Sequence, residues 1–385
     1  MNLDLTEEQK LIQDTAKEFA AAELEPAAAA LDQGGDDTIF YENLKKLAEL
    51  GFMGLNIQDQ YGGAEAGSIA FSVALTEIAR ACASTAVTVS VNNMVCEVIQ
   101  ALGNEEQKKA YISKICSGEY PAGAFALTEP GAGSDPAGMT TTAVRDGNEW
   151  VLNGSKIFIT SGSCAGVFVV WAVTDPEAKK GKGISLFLVE PGAKGFEIGR
   201  KEEKMGQHAS ATNEIIFQDC RIPETALMGK LNDGFRVAVS ELAGGRIGIG
   251  SLGLGIGLAA MDMATGYSLE RSQFGKKLSQ MQAIQWKIAD CYTELEAGRL
   301  LLMNAAFKKE QGKSFAKEAS MAKVFATEAG NKACYEAMQI LGGYGYTSEF
   351  PIERYTRDAR VTTIYEGTSE IQRLIISRTI LNEFS

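Results

Sequence analysis

The sequence predicts an α+β protein of several domains: an N-terminal helical domain, a central antiparallel β-domain and a C-terminal four-helix-bundle domain. Three observations predict this order. Apolar residues recur at helical spacing in the first part, short β-branched and aromatic runs follow, and long helical patterns then return. The 385 residues, 45% of them hydrophobic, suffice for more than one core. We expect domain boundaries at 1–120, 121–230 and 231–385.

The N-terminal domain should consist of helices. In LTEEQKLIQDTAKEFAAAEL, residues Leu11, Ile12, Ala16 and Phe19 are expected to share one face, and Thr6 with Gln9 has the spacing of a capping box in front of them. Similar helical patterns recur at about 40–50, 68–101 and 104–116.

The middle domain should be a small antiparallel sheet. Four runs predict strands: EWVLNGSKIFIT, GVFVVWAVT, GISLFLVE and NEIIFQDCRIP. Turn clusters such as RDGNE and PGAKG separate them. Alternating strands and helices are absent, as is a G-x-G-x-x-G motif on a first strand, which disfavours a Rossmann dinucleotide fold.

Long helices are predicted in the C-terminal domain at about 236–269, 280–312, 315–342 and 369–383. Ser369 and Gln372 have the spacing of a capping box, so the last helix should start near Ser369. Glu366 then lies just before this helix, on a loop that Gly367 leaves uncrowded. From these residues alone, Glu366 is either a general base or a surface charge placed near the helix dipole.

Composition excludes several classes of function. A net charge of −12 argues against a nucleic-acid partner. Seven scattered cysteines without a C-x-x-C indicate reduced thiols and not a zinc site, and a single histidine, His208, excludes a histidine-rich metal centre and disfavours a Ser-His-Asp triad. We see no membrane span and no secretory signal, so we expect a cytoplasmic protein of bacterial type, with the mature form of a mitochondrial matrix protein as the alternative.

Four segments are candidates for ligand binding. FALTEPGAGSDPAG, residues 125–138, has glycines and hydroxyls at the junction of helical and β domains, where ligands often bind. SKIFITSG (155–162) is predicted as a strand in which Phe158, Ile159 and Thr160 alternate, and a plain core strand is the competing interpretation. RSQFGKKLSQMQ (271–282) has a helix break at Gly275 and a new helix near Ser279. The start of this helix, with Arg271 nearby, could bind an anion, and a solvated basic turn is the competing interpretation. QILGGYGYTSEFP (339–351) has adjacent glycines where a helix cap needs one.

Together these motifs resemble those of the acyl-CoA dehydrogenases. The resemblance rests on ALTEPGAGSDPAG, GGRIGIGS, RSQFGKKLSQMQAIQ and QILGGYGYTSEFPIERYTRDARVTTIYEGTSEIQ, which occur in the family's order over nearly the whole chain. The pattern is similar to that of the short-chain, butyryl-CoA type. It implies the acyl-CoA dehydrogenase fold, FAD as cofactor, and oxidation of an acyl-CoA thioester to the trans-2-enoyl-CoA or the reverse reduction.

The resemblance also implies the site residues. Glu366 matches the base that removes the α-proton, with its main-chain N–H polarising the thioester carbonyl. FAD contacts are implied for Phe125, Ala126, Leu127, Thr128, Gly133, Ser134, Phe158, Ile159, Thr160, Thr368 and Glu370. Contacts to the FAD of a neighbouring subunit are implied for Arg271, Gln273, Phe274, Leu278, Gln282, Gln339, Ile340, Gly342 and Gly343. Substrate contacts are implied for Ser134, Leu242, Gly245, Arg246, Tyr365 and Gly367.

The chain departs from the family at three positions. Phe158 stands where many members have Trp, Ala243 where an aspartate usually bonds the pantetheine arm, and His208 where many have arginine. Some members carry the base at the position of Gly245, which leaves Glu366 without a competitor here. For His208 a structural role is the favoured interpretation.

The family also implies partners and alternatives. Electron-transfer flavoprotein is the expected acceptor, and a homotetramer built as a dimer of dimers is the expected assembly. STAVTVSVNNMVCEVI (84–99) contains no Arg or Lys, so a neutral acyl group is favoured over a glutaryl-type one. A branched or cyclic acyl group, an oxidase (a group whose members are usually longer) and a non-catalytic relative remain as alternatives.

Overall fold

The N-terminal part of the chain is helical, as predicted. The computed structural model describes residues 4–35 and 37–384. The helices are α1 Glu7–Phe19, α2 Glu25–Gln33, α3 Thr38–Glu49, α4 Gly67–Ala81, α5 Ala83–Leu102, α6 Glu105–Gln107 and α7 Ser113–Cys116. The capping box is confirmed, because Gln9 N donates to Thr6 Oγ1 at 3.2 Å and Thr6 N donates to Gln9 Oε1 at 3.0 Å. The pattern at 68–101 is two helices, since Cys82 is extended with φ −148°.

The central part of the chain forms one sheet. Its strands are β1 Ala122–Ala126, β2 Thr142–Asp146, β3 Glu149–Thr160, β4 Ala165–Val173, β5 Ile184–Val189, β6 Phe196–Lys201, β7 Thr212–Pro223 and β8 Leu227–Met228. The order is β6-β7-β3-β2-β4-β5-β8, with β1 beside β4. Most pairs are antiparallel as predicted, but β1 runs parallel to β4, and a single parallel pair joins β2 to β4.

Strand β3 carries an irregularity that the alternating pattern does not predict. Its register with β7 shifts between Lys156 and Ile159, and Phe158 adopts φ 58° within this bulge. A bulge redirects the side chain that it contains. Phe158 is 60% exposed whereas Ile159 is 1% exposed, so the aromatic ring faces outward from the sheet.

The C-terminal part contains the four predicted long helices: α8 Gly234–Glu270, α9 Gln282–Glu310, α10 Ala316–Leu341 and α13 Ser369–Glu383. Helix α10 packs against the other three. Two shorter helices, α11 Gly343–Tyr346 and α12 Ile352–Arg360, were not predicted. In the residues that the structure describes, the stretch Leu242–Glu270 alone is long and apolar enough to cross a membrane, and 78% of its most apolar window is buried inside the protein.

The predicted helix start near Ser279 is wrong. A small hairpin follows α8, with β9 Ser272–Gln273 and β10 Lys276–Lys277, and α9 begins at Gln282. Phe274 and Gly275 form the turn with φ 51° and 75°. Two consecutive positive φ values are typical of the tight turns that join paired strands. The turn agrees with the helix break predicted at Gly275, and a short 3₁₀ segment, Leu278–Gln280, occupies the predicted helix start.

Candidate active site

Glu366 lies on a turn that is held by the last helix. Glu366 and Gly367 have φ 51° and 91°. The predicted cap at Ser369 is wrong: the side chain of Thr368 caps α13 and accepts from Ile371 N at 3.3 Å. The side chain of Gln372 turns back instead, and its Nε2 donates to the carbonyl oxygens of Glu366 at 3.2 Å and Gly367 at 2.9 Å. The turn therefore keeps a fixed, unusual backbone conformation.

The carboxylate of Glu366 points at α8. A Cβ built on Gly245 would lie 2.2 Å from Glu366 Oε2 and 2.9 Å from Met94 Sδ. Only a glycine leaves room for the carboxylate at this point. Oε2 is buried and has no hydrogen-bond partner among the described residues, although Glu366 as a whole is half-buried. An unpaired buried oxygen is costly unless a ligand uses it, so this oxygen is a candidate for a position that contacts a ligand.

Two buried cations act on this carboxylate. Burial raises the pKa of Glu366 to about 7, against the attraction of Lys323 and Arg246. Burial also lowers the pKa of Lys323 to about 8 and lowers the pKa of Arg246, although Glu366 opposes both shifts. Arg246 is 4% exposed, and its Nη1 donates to Ser320 Oγ at 3.4 Å. A carboxylate that titrates near neutrality is suited to accepting a proton.

The other predicted substrate residues fall into two groups. Leu242 on α8 and Tyr365 on the turn pack against the main core, on the same two segments as Gly245 and Glu366. The Tyr365 hydroxyl accepts from Gln207 Nε2 at 3.2 Å, and burial raises the pKa of Tyr365. Ser134 lies elsewhere, exposed on the loop after β1.

The loop after β1 and the bulge of β3 are neighbours. Thr128 O accepts from Ile157 N at 2.9 Å, which joins the loop directly to the strand. Phe125 and Ala126 belong to β1, and Leu127 is buried beside them. Gly133 and Ser134 are exposed, and Thr160 is partly exposed. The two predicted flavin-contacting segments thus lie side by side.

A buried ion pair beneath this loop was missed by the sequence reasoning. Lys156 Nζ donates to Glu129 Oε1 at 2.8 Å and to Leu127 O at 3.2 Å, with the two charged side chains 0% and 2% exposed. Glu129 also accepts from Thr140 N at 2.6 Å and Thr141 N at 3.0 Å. Lys156 occupies an inward-facing position of a predicted strand, and this is the signal in the sequence that could have revealed the buried pair.

The third group of predicted residues lines an open groove of about 530 Å³ on the C-terminal helices. Its lining includes six of the nine residues assigned to a neighbouring subunit's FAD: Arg271, Gln273, Leu278, Ile340, Gly342 and Gly343. Phe274 is 93% exposed at the hairpin tip, and Gln282 and Gln339 are exposed. A Cβ at Gly342 or Gly343 would meet nothing within 4 Å, so the main chain is open to a ligand here.

These features fit a large planar cofactor with a polar tail. The exposed Phe158 ring and the hydroxyls of Thr128 and Ser134 offer an aromatic and a polar surface around the bulge of β3. The groove near Arg271 offers a cation and an open main chain. The unpaired Glu366 oxygen offers a base. Thr368 is occupied as a helix cap, and Glu370 is exposed in the first turn of α13.

The three departures from the family pattern have different surroundings. Phe158 is exposed at the bulge of β3, whereas Ala243 is 3% exposed in the core, and its methyl group cannot form the hydrogen bond of the missing aspartate. His208 Nδ1 lies 2.7 Å from Asp32 O and Nε2 lies 2.7 Å from Lys204 O. These contacts tie the β-domain to the end of α2 and agree with a structural role for His208.

Comparison with known proteins accounts for nearly the whole chain. Models of the acyl-CoA dehydrogenase N-terminal, middle and C-terminal domains match residues 6–119, 124–220 and 232–381. The chain is 44% identical over 384 residues to acryloyl-CoA reductase (NADH) of Anaerotignum propionicum, covering 99% of this chain and 96% of that protein.

Two solved structures are also similar. Butyryl-CoA dehydrogenase from Megasphaera elsdenii has a TM-score of 0.95 and 39% identity, covering 99% of this chain and 100% of the other. A chain from a structure described as electron transferring flavoprotein of Acidaminococcus fermentans has a TM-score of 0.96 and 42% identity, again covering 99% and 100%. This chain belongs to the acyl-CoA dehydrogenase family.

Proposed function

We propose that this protein is an FAD-dependent dehydrogenase of short-chain acyl-CoA thioesters, in which Glu366 removes the α-proton. One observation carries the proposal: Glu366 Oε2 is buried without a partner against Gly245. A pKa raised to about 7 leaves this carboxylate partly ionised at neutral pH, so it can both take up a proton and release it. The same group serves either direction of the reaction.

The chain's own residues prepare the α-proton for removal. The main-chain N–H of Glu366 is assigned to the thioester carbonyl, where charge develops as the proton leaves. Arg246 and Lys323 add positive charge to this region, which would stabilise the negative charge that develops on the thioester as the α-proton leaves. Gly245 keeps the carboxylate free to reach the substrate.

The cofactor is assigned to two surfaces of the chain. Phe158, Ile159 and Thr160 with the loop 125–134 would hold the flavin ring, and the groove at Arg271 and Gly342 would hold the far end of a neighbouring subunit's FAD. When bound, FAD supplies the acceptor for the β-hydrogen and its two electrons. The exposed Phe158 ring would exclude water from one side of that surface.

The substrate class is argued from the approach of α5 to α8. A Cβ on Gly248 would lie 2.3 Å from Ser90 Oγ, and one on Gly245 would lie 2.9 Å from Met94 Sδ. The helices are thus in contact one turn beyond Glu366, which leaves little depth for a long acyl chain. The charged residue in this part of α5, Glu97, pairs with Lys309 at 2.8 Å. A short neutral acyl group fits best, with a branched or cyclic one as the alternative.

Assembly and partners follow from the same reasoning. A groove assigned to another subunit's cofactor requires a dimer at least, and we propose a homotetramer. We propose electron-transfer flavoprotein as the acceptor, a cytoplasmic or mitochondrial matrix location, and domain boundaries near residues 120 and 230. The change from helices to strands after α7 and back to helices at α8 supports these boundaries.

The test is a panel of acyl-CoA thioesters with a dye acceptor, run on the wild type and on Glu366→Gln. We expect butyryl-length substrates to be preferred, with turnover increasing as the pH rises through about 7. Removing the base should lower turnover by at least about 10²–10⁴-fold, with the yellow flavin spectrum retained. Glu383→Gln is the matched control, because Glu383 pairs with Lys317 at the far end of α13.

Three outcomes would contradict the proposal. Substantial turnover in Glu366→Gln removes this residue from the mechanism. Purified protein that binds no flavin points to a non-catalytic relative, and peroxide formed in step with turnover points to an oxidase.

A further inference from the structure

Lys323 is a fully buried lysine on α10, with 0% of its surface exposed. Its Nζ donates to the main-chain oxygen of Gly367 at 2.8 Å. In the part of the chain that the structure describes, no carboxylate forms a salt bridge with it. Lysines are almost never fully buried without a charged partner, and this one bonds to the turn next to the proposed base.

The bond from Lys323 holds a strained turn. Glu366 is a non-glycine residue at φ 51°, a conformation that costs free energy unless the surroundings enforce it. Gly367 O accepts from both Lys323 and Gln372, and Glu366 O accepts from Gln372 as well. The turn is therefore fixed from α10 on one side and from α13 on the other.

Lys323 also changes the charge around the carboxylate. The charged groups that act on Glu366 come from two helices: Arg246 from α8 and Lys323 from α10. Tyr365, next to Glu366, has its pKa raised chiefly by burial, so its hydroxyl adds no charge. Met94 of α5, which lies beside Gly245 as Glu366 does, is neutral, and the charged residue of α5, Glu97, pairs with Lys309.

We propose that Lys323 is a positioning residue for Glu366, whose ammonium group fixes the 366–367 turn and supplies the positive charge that keeps the Glu366 carboxylate anionic. This rests on the proposed function of Glu366. Proton uptake by Glu366 leaves two buried cations without a counter-charge, so Lys323 also promotes return of the proton to solvent after each turnover.

The experiment separates charge from backbone support. Lys323→Met removes both, whereas Gln372→Leu removes hydrogen bonds to the turn without removing a charge. Lys332→Met is the matched control, because Lys332 is an exposed lysine on the same helix, paired with Glu294. Lys323→Gln is the second variant if Lys323→Met does not fold, since glutamine retains a donor but carries no charge.

Two readouts are used. The first is the pH dependence of turnover in the flavin-loaded enzyme. The second is the infrared band of the protonated Glu366 carboxyl, obtained as the difference from Glu366→Gln and followed against pH without substrate. This second readout tests Lys323 even if the wild type proves inactive on acyl-CoA, a result that would contradict the proposed function alone.

We expect both midpoints to rise by about one pH unit in Lys323→Met, the lower end of the effect of a nearby opposite charge. Turnover at pH 7 should fall about 10-fold or more, with flavin content unchanged. Gln372→Leu should lower turnover without moving the midpoints, and Lys332→Met should match the wild type. Unchanged midpoints in both Lys323 variants, or equal shifts in Lys332→Met, would overturn the inference.

Discussion

Breaking the buried pair of Lys156 and Glu129 should destabilise the β-domain. Burial raises the pKa of Glu129, but the charge and hydrogen bond of Lys156, with the bonds from Thr141 and Thr140, outweigh it and hold this pKa at about 2. Lys156→Met leaves the carboxylate without its cation. One-sided loss of a buried pair typically costs about 3–5 kcal/mol. We expect the lower end, because the bonds from Thr140 and Thr141 remain.

The two partners contribute to stability with opposite sign. The pairing of Glu129 stabilises the fold above its ordinary pKa of 4.5, and this contribution is lost as pH falls towards about 2. Burial lowers the pKa of Lys156 to about 8, so holding its ammonium inside the protein costs free energy, and that cost is relieved as pH rises above 8. The double variant Lys156→Met with Glu129→Gln should therefore lose less free energy of unfolding than Lys156→Met alone.

The assay is urea unfolding at pH 7, followed by tryptophan fluorescence. Trp150 and Trp171 are buried in the sheet at 6% and 0% exposure, so they report on this domain, whereas Trp286 is 62% exposed on α9. Lys180→Met is the matched control, because Lys180 pairs with Asp135 at the surface and exposed pairs contribute little. Equal urea midpoints for the wild type and Lys156→Met, or a double variant less stable than Lys156→Met alone, would refute the reasoning.

Two further changes test the geometry around the base. Gly245→Ala places a Cβ 2.2 Å from Glu366 Oε2 and should displace the carboxylate. Turnover in the dye assay should fall about 10²-fold, as expected for a misplaced catalytic group. The flavin content should not change. Gly266→Ala on the same helix meets nothing within 4 Å and should leave activity unchanged, and equal activities in the two variants would contradict the expectation. Thr368→Ala removes the cap of α13 and should lower the free energy of unfolding by about 1 kcal/mol, measured by urea unfolding; an unchanged midpoint would mean that the cap contributes nothing.

Periodic segments were predicted well. Strand β3 has the predicted bounds, because its side chains alternate between the two faces of the sheet and give a clear strand pattern. Strand β1, AGAFA, was missed since its residues are mostly small and carry little β signal. Helix α12 was missed because IERYTRDAR follows a proline in a segment that we interpreted as a ligand loop.

Features that depend on packing could not be predicted. The bulge at Phe158 arises from the register between β3 and β7, which the residues of β3 do not encode by themselves. The cap of α13 moved to Thr368 because Gln372, which has the capping-box spacing from Ser369, turns to the carbonyls of Glu366 and Gly367 instead. The spacing of residues alone cannot show which of two adjacent hydroxyls caps the helix, because the contact of Gln372 that decides it forms only in the folded chain.

Lys323 shows where the sequence carried an unused signal. A lysine in the alanine-rich segment ASMAKVFATEAG looks solvated, yet the neighbours at helical spacing, Ala319, Ala326 and Gly330, all face the core. A charged residue on the buried face of an amphipathic helix conflicts with the helix pattern. Such local conflicts concentrate at functional sites, and Lys323 indeed contacts the turn of the proposed base.

The reactivity that we propose for Glu366 therefore depends on three helices together. In water, the carboxylate on this turn would have a pKa near its ordinary value of 4.5. Burial alone would raise this pKa above the value that it has when Lys323 and Arg246 are present. Arg246 and Lys323 offset part of the burial, and the result lies at about 7, where a base is both available and able to release its proton. Because Gly245 excludes any side chain between the carboxylate and α8, this balance acts at the position where the substrate's α-carbon is proposed to bind. The resemblance in sequence predicts which residue is the base, whereas the strength that we propose for it follows from residues that meet only in the folded protein.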